Sequence, residues 1–310
     1  MIEIFYKTIP FFALIGLGYS AAITRFFSAE ASAYLTKFVF YFALSAMLFR
    51  FSSDLSLSEL YDPEFIYAYL SASLIIYFLA TAVAIFRKKV PSEAAVEAQC
   101  SVIGNVGFLG IPMLAILMGS ESVGFIMIIL AIDLIVFGSL IVLIIVASKD
   151  KKLDPFLFYR VLLGLMKNPM IVSIICGLLW SASGWSIPGP INDFIVMLGS
   201  AATPGALFAI GASLAQKSTE RFEVAAWLSF CKLVLHPFAV CIAVFYIFKV
   251  ELYAATVMIA AASLPVAGNI FMVAQHYNVA PKRASAAIFL STVLSIFTVS
   301  FTIAWVSSLN

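Results

Sequence analysis

Charge is scarce in this chain: Asp, Glu, Lys and Arg make up 11% of its 310 residues, well under the roughly 25% of ordinary soluble domains. The few basic residues fall in short clusters with no polar face between them, which excludes a nucleic-acid surface. Cysteine is sparse too. Cys100, Cys176, Cys231 and Cys241 stand singly in apolar surroundings, without the close pairs of a zinc or redox motif, and read as packing residues. There is no His-Glu-x-x-His zinc signature, no Gly-x-Ser-x-Gly, and no pair of intramembrane aspartates to share a proton, which argues against an intramembrane enzyme. No cofactor and no structural metal are expected.

What the chain has in abundance is hydrocarbon: 63% hydrophobic residues and a mean hydropathy of +1.08. A membrane span needs about 20 apolar residues, so the length holds about ten with short connections and no soluble domain. Apolar runs bounded by charge, Pro and Gly fall at about 8–24, 33–51, 63–86, 97–118, 121–147, 167–183, 194–215, 224–248, 252–275 and 284–308. The first run follows Lys7 like a signal peptide, but Glu3 and the closely following second run favour its retention as a span. The 29 phenylalanines suit lipid-facing surface.

Of the 18 Lys and Arg residues, all but Lys7, Arg50, Lys249 and the in-span Lys232 belong to one alternating set of loops. Cytoplasmic loops carry the basic excess, so a multi-pass protein of the inner or plasma membrane with both termini extracytoplasmic is expected. Arg87, Lys88 and Lys89 are expected at lipid headgroups. A basic connection at 148–166 divides the chain into halves of five spans, 1–147 and 167–310. Five is odd, so a duplicated half enters the membrane inverted, the architecture of many secondary transporters. Faint echoes agree: Pro10 and Gly18 are spaced as Pro169 and Gly177, and Gly104-Asn105-Val106 is echoed by Gly268-Asn269-Ile270.

The fourth span carries Gly104, Asn105, Gly107, Gly110 and Pro112, and the ninth carries Pro265, Gly268 and Asn269. Proline removes an amide donor and glycine weakens a helix, so both spans are expected to break near mid-membrane. Broken backbone at that depth survives only where protein buries it or water reaches it. Interrupted spans in matching positions of two halves are therefore the best sequence pointer to a substrate site. Half-helix ends favour an anion such as a carboxylate, and Asn105 and Asn269 add donors and acceptors. The competing reading is two simple kinks packed by their neighbours.

Three ionisable groups lie inside apolar runs: Asp133 in the fifth, Lys232 and His236 in the eighth. Each needs a partner or water, since Asp or Lys at a helix centre costs about 2.5–3.5 kcal/mol on insertion scales. Lys232 and His236, four apart, share a helix face that Pro237 should bend. Either Asp133 binds a coupling H+ or Na+ against Lys232 or His236, or the groups form a static buried pair; both readings stand. Gln99, Gln275 and His276 read as interfacial, and the four tryptophans as interfacial or packing aromatics.

At the two interrupted spans the sequence resembles the auxin efflux carrier family, of the bile-acid and sodium symporter-like superfamily. The carrying stretches are GNVGFLGIPMLAILMG at 104–119 and SLPVAGNIFMVAQHYNVAP at 263–281, with KNPMIVSIICGLLW at 167–180, GALFAIGASL at 205–214 and KLVLHP at 232–237. The resemblance implies an all-α fold of ten transmembrane helices in two inverted five-helix repeats, with crossing broken helices 4 and 9 that carry Pro112 and Pro265. It implies a scaffold of helices 1, 2, 6 and 7 that forms a homodimer surface, and a transport body of helices 3–5 and 8–10. It also makes Asn105 and Asn168 substrate contacts. The second span departs from the family pattern, with Thr36 and Leu44-Ser45 where an asparagine and a Leu-Pro pair are usual, and the long hydrophilic loop of plant members is missing.

The expected function is therefore secondary transport of a small organic anion, auxin-like or dicarboxylate-like, by elevator-type alternating access. Gly104, Gly268, Asn105, Asn168, Asn269, Pro112 and Pro265 form the expected substrate site, with Asp133, Lys232 and His236 for ion coupling. The partners are the anion, membrane lipids and a second copy. A solute-sensing receptor, a sodium- or proton-coupled carrier of another solute, and a channel lined by broken helices are the alternatives; the short loops disfavour a receptor.

Overall fold

A computed structural model describes residues 2–54, 62–149, 166–215 and 222–309, together with positions 159 and 163. Lys151, Lys152 and Arg160 of the expected connection, and Lys217 and Arg221, lie outside the described residues. The described residues are helical, with no strand and one isolated backbone bridge. In chain order the helices are α1 (Ile2–Ile23), α2 (Ala29–Ser53), α3 (Pro63–Phe86), α4 (Pro91–Val102), α5 (Val106–Met118), α6 (Ser122–Ser148) and α7 (Pro169–Ser183). They continue with α8 (Gly189–Leu214), α9 (Phe222–Ile247), α10 (Leu252–Ala262), α11 (Asn269–His276) and α12 (Pro281–Val306). Six of them, α2, α3, α6, α8, α9 and α12, are long and apolar enough to cross a membrane by length and composition.

Helix starts follow local chemistry. Asp62 accepts from the Phe65 amide at 3.1 Å, with Pro63 in the first turn of α3, and Asn168 accepts from the Met170 amide at 3.0 Å, with Pro169 opening α7. A side-chain acceptor and a proline that needs no donor are the two economical ways to begin a helix.

Prolines inside helices behave differently from expectation. Pro112 does not break its span, and the helix at Pro237 continues: each lies two residues after a wide π-turn, Val106–Gly110 and Cys231–Leu235. A proline frees the carbonyl four residues back and clashes with it. That carbonyl belongs to Phe108 or Leu233, inside the π-turn, where i→i+5 bonding moves it aside. The interruption of the fourth span therefore falls earlier, between α4 and α5.

Packing falls into two groups. In one, α1 lies along α8 and α7 lies along α2, with α8 also against α2. A methyl group on Gly18 would sit 2.0 Å from the Phe208 carbonyl oxygen, and one on Gly211 would sit 1.9 Å from that of Ile15, so α1 and α8 touch backbone to backbone. In the other, α3 packs on α4 and α9, α4 on α6, α6 on α10, and α9 on α12. The two interrupted spans, α4/α5 and α10/α11, belong to this second group and meet at its centre.

Candidate functional site

The chain leaves helical geometry at Ile103–Asn105 and again at Ser263–Gly268. The two breaks lie against each other and satisfy much of each other's backbone: the Asn105 amide donates to the Pro265 carbonyl at 2.8 Å, and the Ala267 amide donates to the Ile103 carbonyl at 3.1 Å. Gly104 and Val266 form the antiparallel bridge between them, and the Val266 amide donates to Ser291 Oγ at 3.1 Å. Unsatisfied backbone at this depth would cost several kcal/mol per group; mutual pairing removes most of it. Gly104 is closely packed there: a methyl would lie 3.3 Å from Lys232 Cε and 3.4 Å from the Ala261 carbonyl oxygen, a tight fit that the lysine side chain would have to accommodate.

Some donors remain. The amides of Gly107 and Phe108, at the start of α5, and of Gly268 and Asn269, at the start of α11, find no acceptor among the described residues. Asn105, Phe108, Gly268 and Asn269 line a cavity of about 480 Å³, together with Thr36, Lys37, Ser213, Gln275 and Ser285. The first residues of two helices, at their positive dipole ends, thus line one space. Asn105 is 4% exposed, and its side chain makes no hydrogen bond among the described residues. Among the described residues, Lys37 is the only charged one of the lining. The cavity has the chemistry of an anion site.

The opposite ends of the half-helices are held by a cation. Lys232, fully buried, donates through Nζ to the Ala262 carbonyl at the C-terminus of α10, where the helix dipole favours positive charge. The same Nζ lies 3.2 Å from His236 Nδ1, and His236 Nε2 lies 2.9 Å from Ser73 Oγ. With Lys232 as an ammonium, which only donates, Nδ1 accepts and Nε2 carries the proton toward Ser73. Tyr69, whose ring centroid lies 5.8 Å from that of His236, donates through its hydroxyl to Asp133 Oδ1 at 2.9 Å. Asp133 and Lys232, expected as a possible direct pair, make no ion pair; a chain of side chains from α3 and α9 runs between them. Both charges sit in π-turns, Asp133–Phe137 and Cys231–Leu235.

Among the described residues, Asp133 Oδ2 has no hydrogen-bond partner. Asp133 is 3% exposed and lines a second cavity of about 300 Å³ with Gln99, Asn168, Asn269 and Tyr277. Gln99 Oε1 and Asn269 Oδ1 are likewise buried without a partner. Asn269 is a wall of both cavities. Of the expected site residues, Asn105, Gly268 and Asn269 share the first cavity. Asn168 caps α7 and lines the second, away from Asn105. Gly104, Pro112 and Pro265 line neither and act on the backbone of the crossing.

Two expectations for polar residues change. Gln99 is 5% exposed rather than interfacial, because α4 is enclosed by α3, α6 and α9. Arg87 is an ion-pair partner of the fully buried Glu97, which also accepts from Arg283 Nη1 at 2.8 Å, so it is committed to protein rather than free for headgroups. Tyr69 and Ser73 escaped the sequence reading altogether. Their signal was two polar groups four apart on one face of the mainly apolar α3.

The model of a family described as membrane transport proteins matches residues 3–303. A Rhizobium meliloti (strain 1021) protein bearing the name "Putative malonate transporter" is similar: 29% identical over 306 residues, 97% of this chain and 95% of that protein. With a helical fold and several helices fit to cross a bilayer, this is a multi-pass membrane protein, a transporter and not an enzyme. The chain belongs to the membrane transport protein family of auxin efflux carrier type.

Proposed function

We propose that the protein is a secondary active carrier of a small organic anion, with malonate, named for the Rhizobium relative, as the first candidate. The observation that supports this reading is the convergence of two half-helix N-termini, with Asn105 and Asn269, on one cavity in which the only charged residue among those described is a lysine. Such a site binds a carboxylate through charge-assisted hydrogen bonds. The ten-span inverted arrangement belongs to the same proposal: α4/α5 and α10/α11 count as single interrupted spans, and 1–147 and 167–310 are the two repeats. The first packing group, α1, α2, α7 and α8, is the scaffold and dimer surface, and the second is the body that carries the anion. Both cavities lie toward the end of the bundle where Lys37, Gln275 and Tyr277 sit, the cytoplasmic end if the basic loops face inward and the termini outward. An ion at Asp133 supplies the coupling.

Purified protein in liposomes tests the carrier. Labelled malonate should enter with saturable kinetics and faster when unlabelled malonate is trapped inside, because a carrier returns more quickly loaded than empty. Uptake that grows linearly with concentration and ignores the trapped acid would overturn alternating access in favour of a pore.

A further inference from the structure

We infer that the carrier moves its anion together with a proton, taken up at Asp133, in a one-to-one symport. The inference rests on the anion reading above and names its co-substrate. Asp133 holds two different oxygens. Oδ2, without a partner, belongs to the side chain that lines the second cavity, from which a proton can arrive. Oδ1 accepts from Tyr69, whose ring packs against that of His236, and His236 in turn lies between Ser73 and Lys232. Asp133 and Lys232 are thus the two opposite charges of one buried group of side chains.

Lys232 stands one residue behind the anion cavity. It contacts the crossing beside Gly104, and Asn105, the next residue, lines the cavity. While Asp133 is ionised, its charge compensates Lys232 through the buried chain, and the crossing is close to neutral. A proton on Oδ2 turns the carboxylate into a carboxylic acid, with no other bond made or broken. Lys232 is then an uncompensated cation next to two helix N-termini, and an anion restores balance. Proton and anion each favour the other, and linkage makes the effect reciprocal.

The arrangement also assigns the coupling ion. The carbonyl end of α10, where a metal cation would find its oxygen ligands, is already occupied by the Lys232 ammonium. The titratable and charged groups facing Asp133 are Tyr69 on α3, Lys232 and His236 on α9, and Tyr277 after α11, through the shared cavity. None of them is a second carboxylate that could take the proton instead.

The test is proton counting. Malonate is added to detergent-purified protein in weak buffer, at pH values where the acid itself stays fully ionised, and the pH change is read with an indicator dye. About one proton should be taken up per malonate bound at pH values above the Asp133 midpoint, and affinity should fall there by up to about tenfold per pH unit. Asp133→Asn should bind malonate with no proton uptake and no pH dependence. Tyr69→Phe keeps Asp133 but removes a hydrogen bond to its charged form, so its pH profile should move to higher pH. Binding without proton uptake by the unaltered protein, or with proton release, overturns the symport and leaves the anion carrier standing. Failure to bind any carboxylate overturns both.

Discussion

At the scale of single residues, three asparagines of the same chemistry have three different duties. Asn105 offers an uncommitted amide to the first cavity, Asn269 divides the two cavities, and Asn168 spends its oxygen on the Met170 amide. A side chain already bonded at a helix start has little to give a substrate, whereas a partnerless one in a polar cavity is preorganised to bind. Asn105→Ala should therefore raise the KM for malonate about tenfold or more, the worth of a hydrogen bond to a charged group, with an unchanged melting temperature. Asn168→Ala should do the reverse, losing about 1 kcal/mol of stability as a lost cap with an unchanged KM. Parallel uptake and thermal-unfolding measurements on the two variants check this. Equal effects of both on KM would return Asn168 to the substrate site.

At the scale of elements, the sequence marked the two interrupted spans because their glycines, prolines and amides fall inside apolar runs of spanning length, a local signal. It could not show where inside the span the interruption falls. Pro112 looked like the breaker, yet Val106–Gly110 absorbs it as a π-turn, and the gap opens at Ile103–Asn105, where the partner is Pro265 far along the chain. The same limit hid Tyr69 and Ser73, whose partners Asp133 and His236 lie 64 and 163 positions away. Close helix contacts are equally nonlocal, and glycines two residues apart in α1 separate them. Gly18 meets the Phe208 carbonyl, whereas Gly16 has nothing within 4 Å. Gly18→Val should cost about 3 kcal/mol or more, since backbone cannot rotate away from the clash; Gly16→Val should stay within about 0.5 kcal/mol. Melting temperatures of the two detergent-purified variants decide whether α1 and α8 pack by backbone contact.

At the scale of the whole molecule, the division into two packing groups has a mechanical consequence. The first group is joined by glycine-mediated backbone contacts, which suit a fixed frame. The second encloses the crossing, the buried chain and the Arg87–Glu97–Arg283 cluster, whose three charges tie α3, α4 and α12 together. A buried ion pair loses several kcal/mol if one partner is withdrawn, so this group should move as one body rather than unravel around its anion. If transport is relative motion of the two groups, tying them together must stop it. Tyr19 on α1 and Phe289 on α12 face each other across the boundary, with ring centroids 6.5 Å apart; Phe27 and Phe208 lie 5.0 Å apart on the first group's side, where Phe27 follows α1 and Phe208 lies in α8. In a variant with the four native cysteines replaced, cysteines at 19 and 289 joined by a short bifunctional thiol reagent should abolish malonate exchange while malonate still raises the melting temperature. The same reagent across 27 and 208 should leave exchange intact. Exchange that survives the first cross-link would require the anion to pass through a body that does not move against its frame.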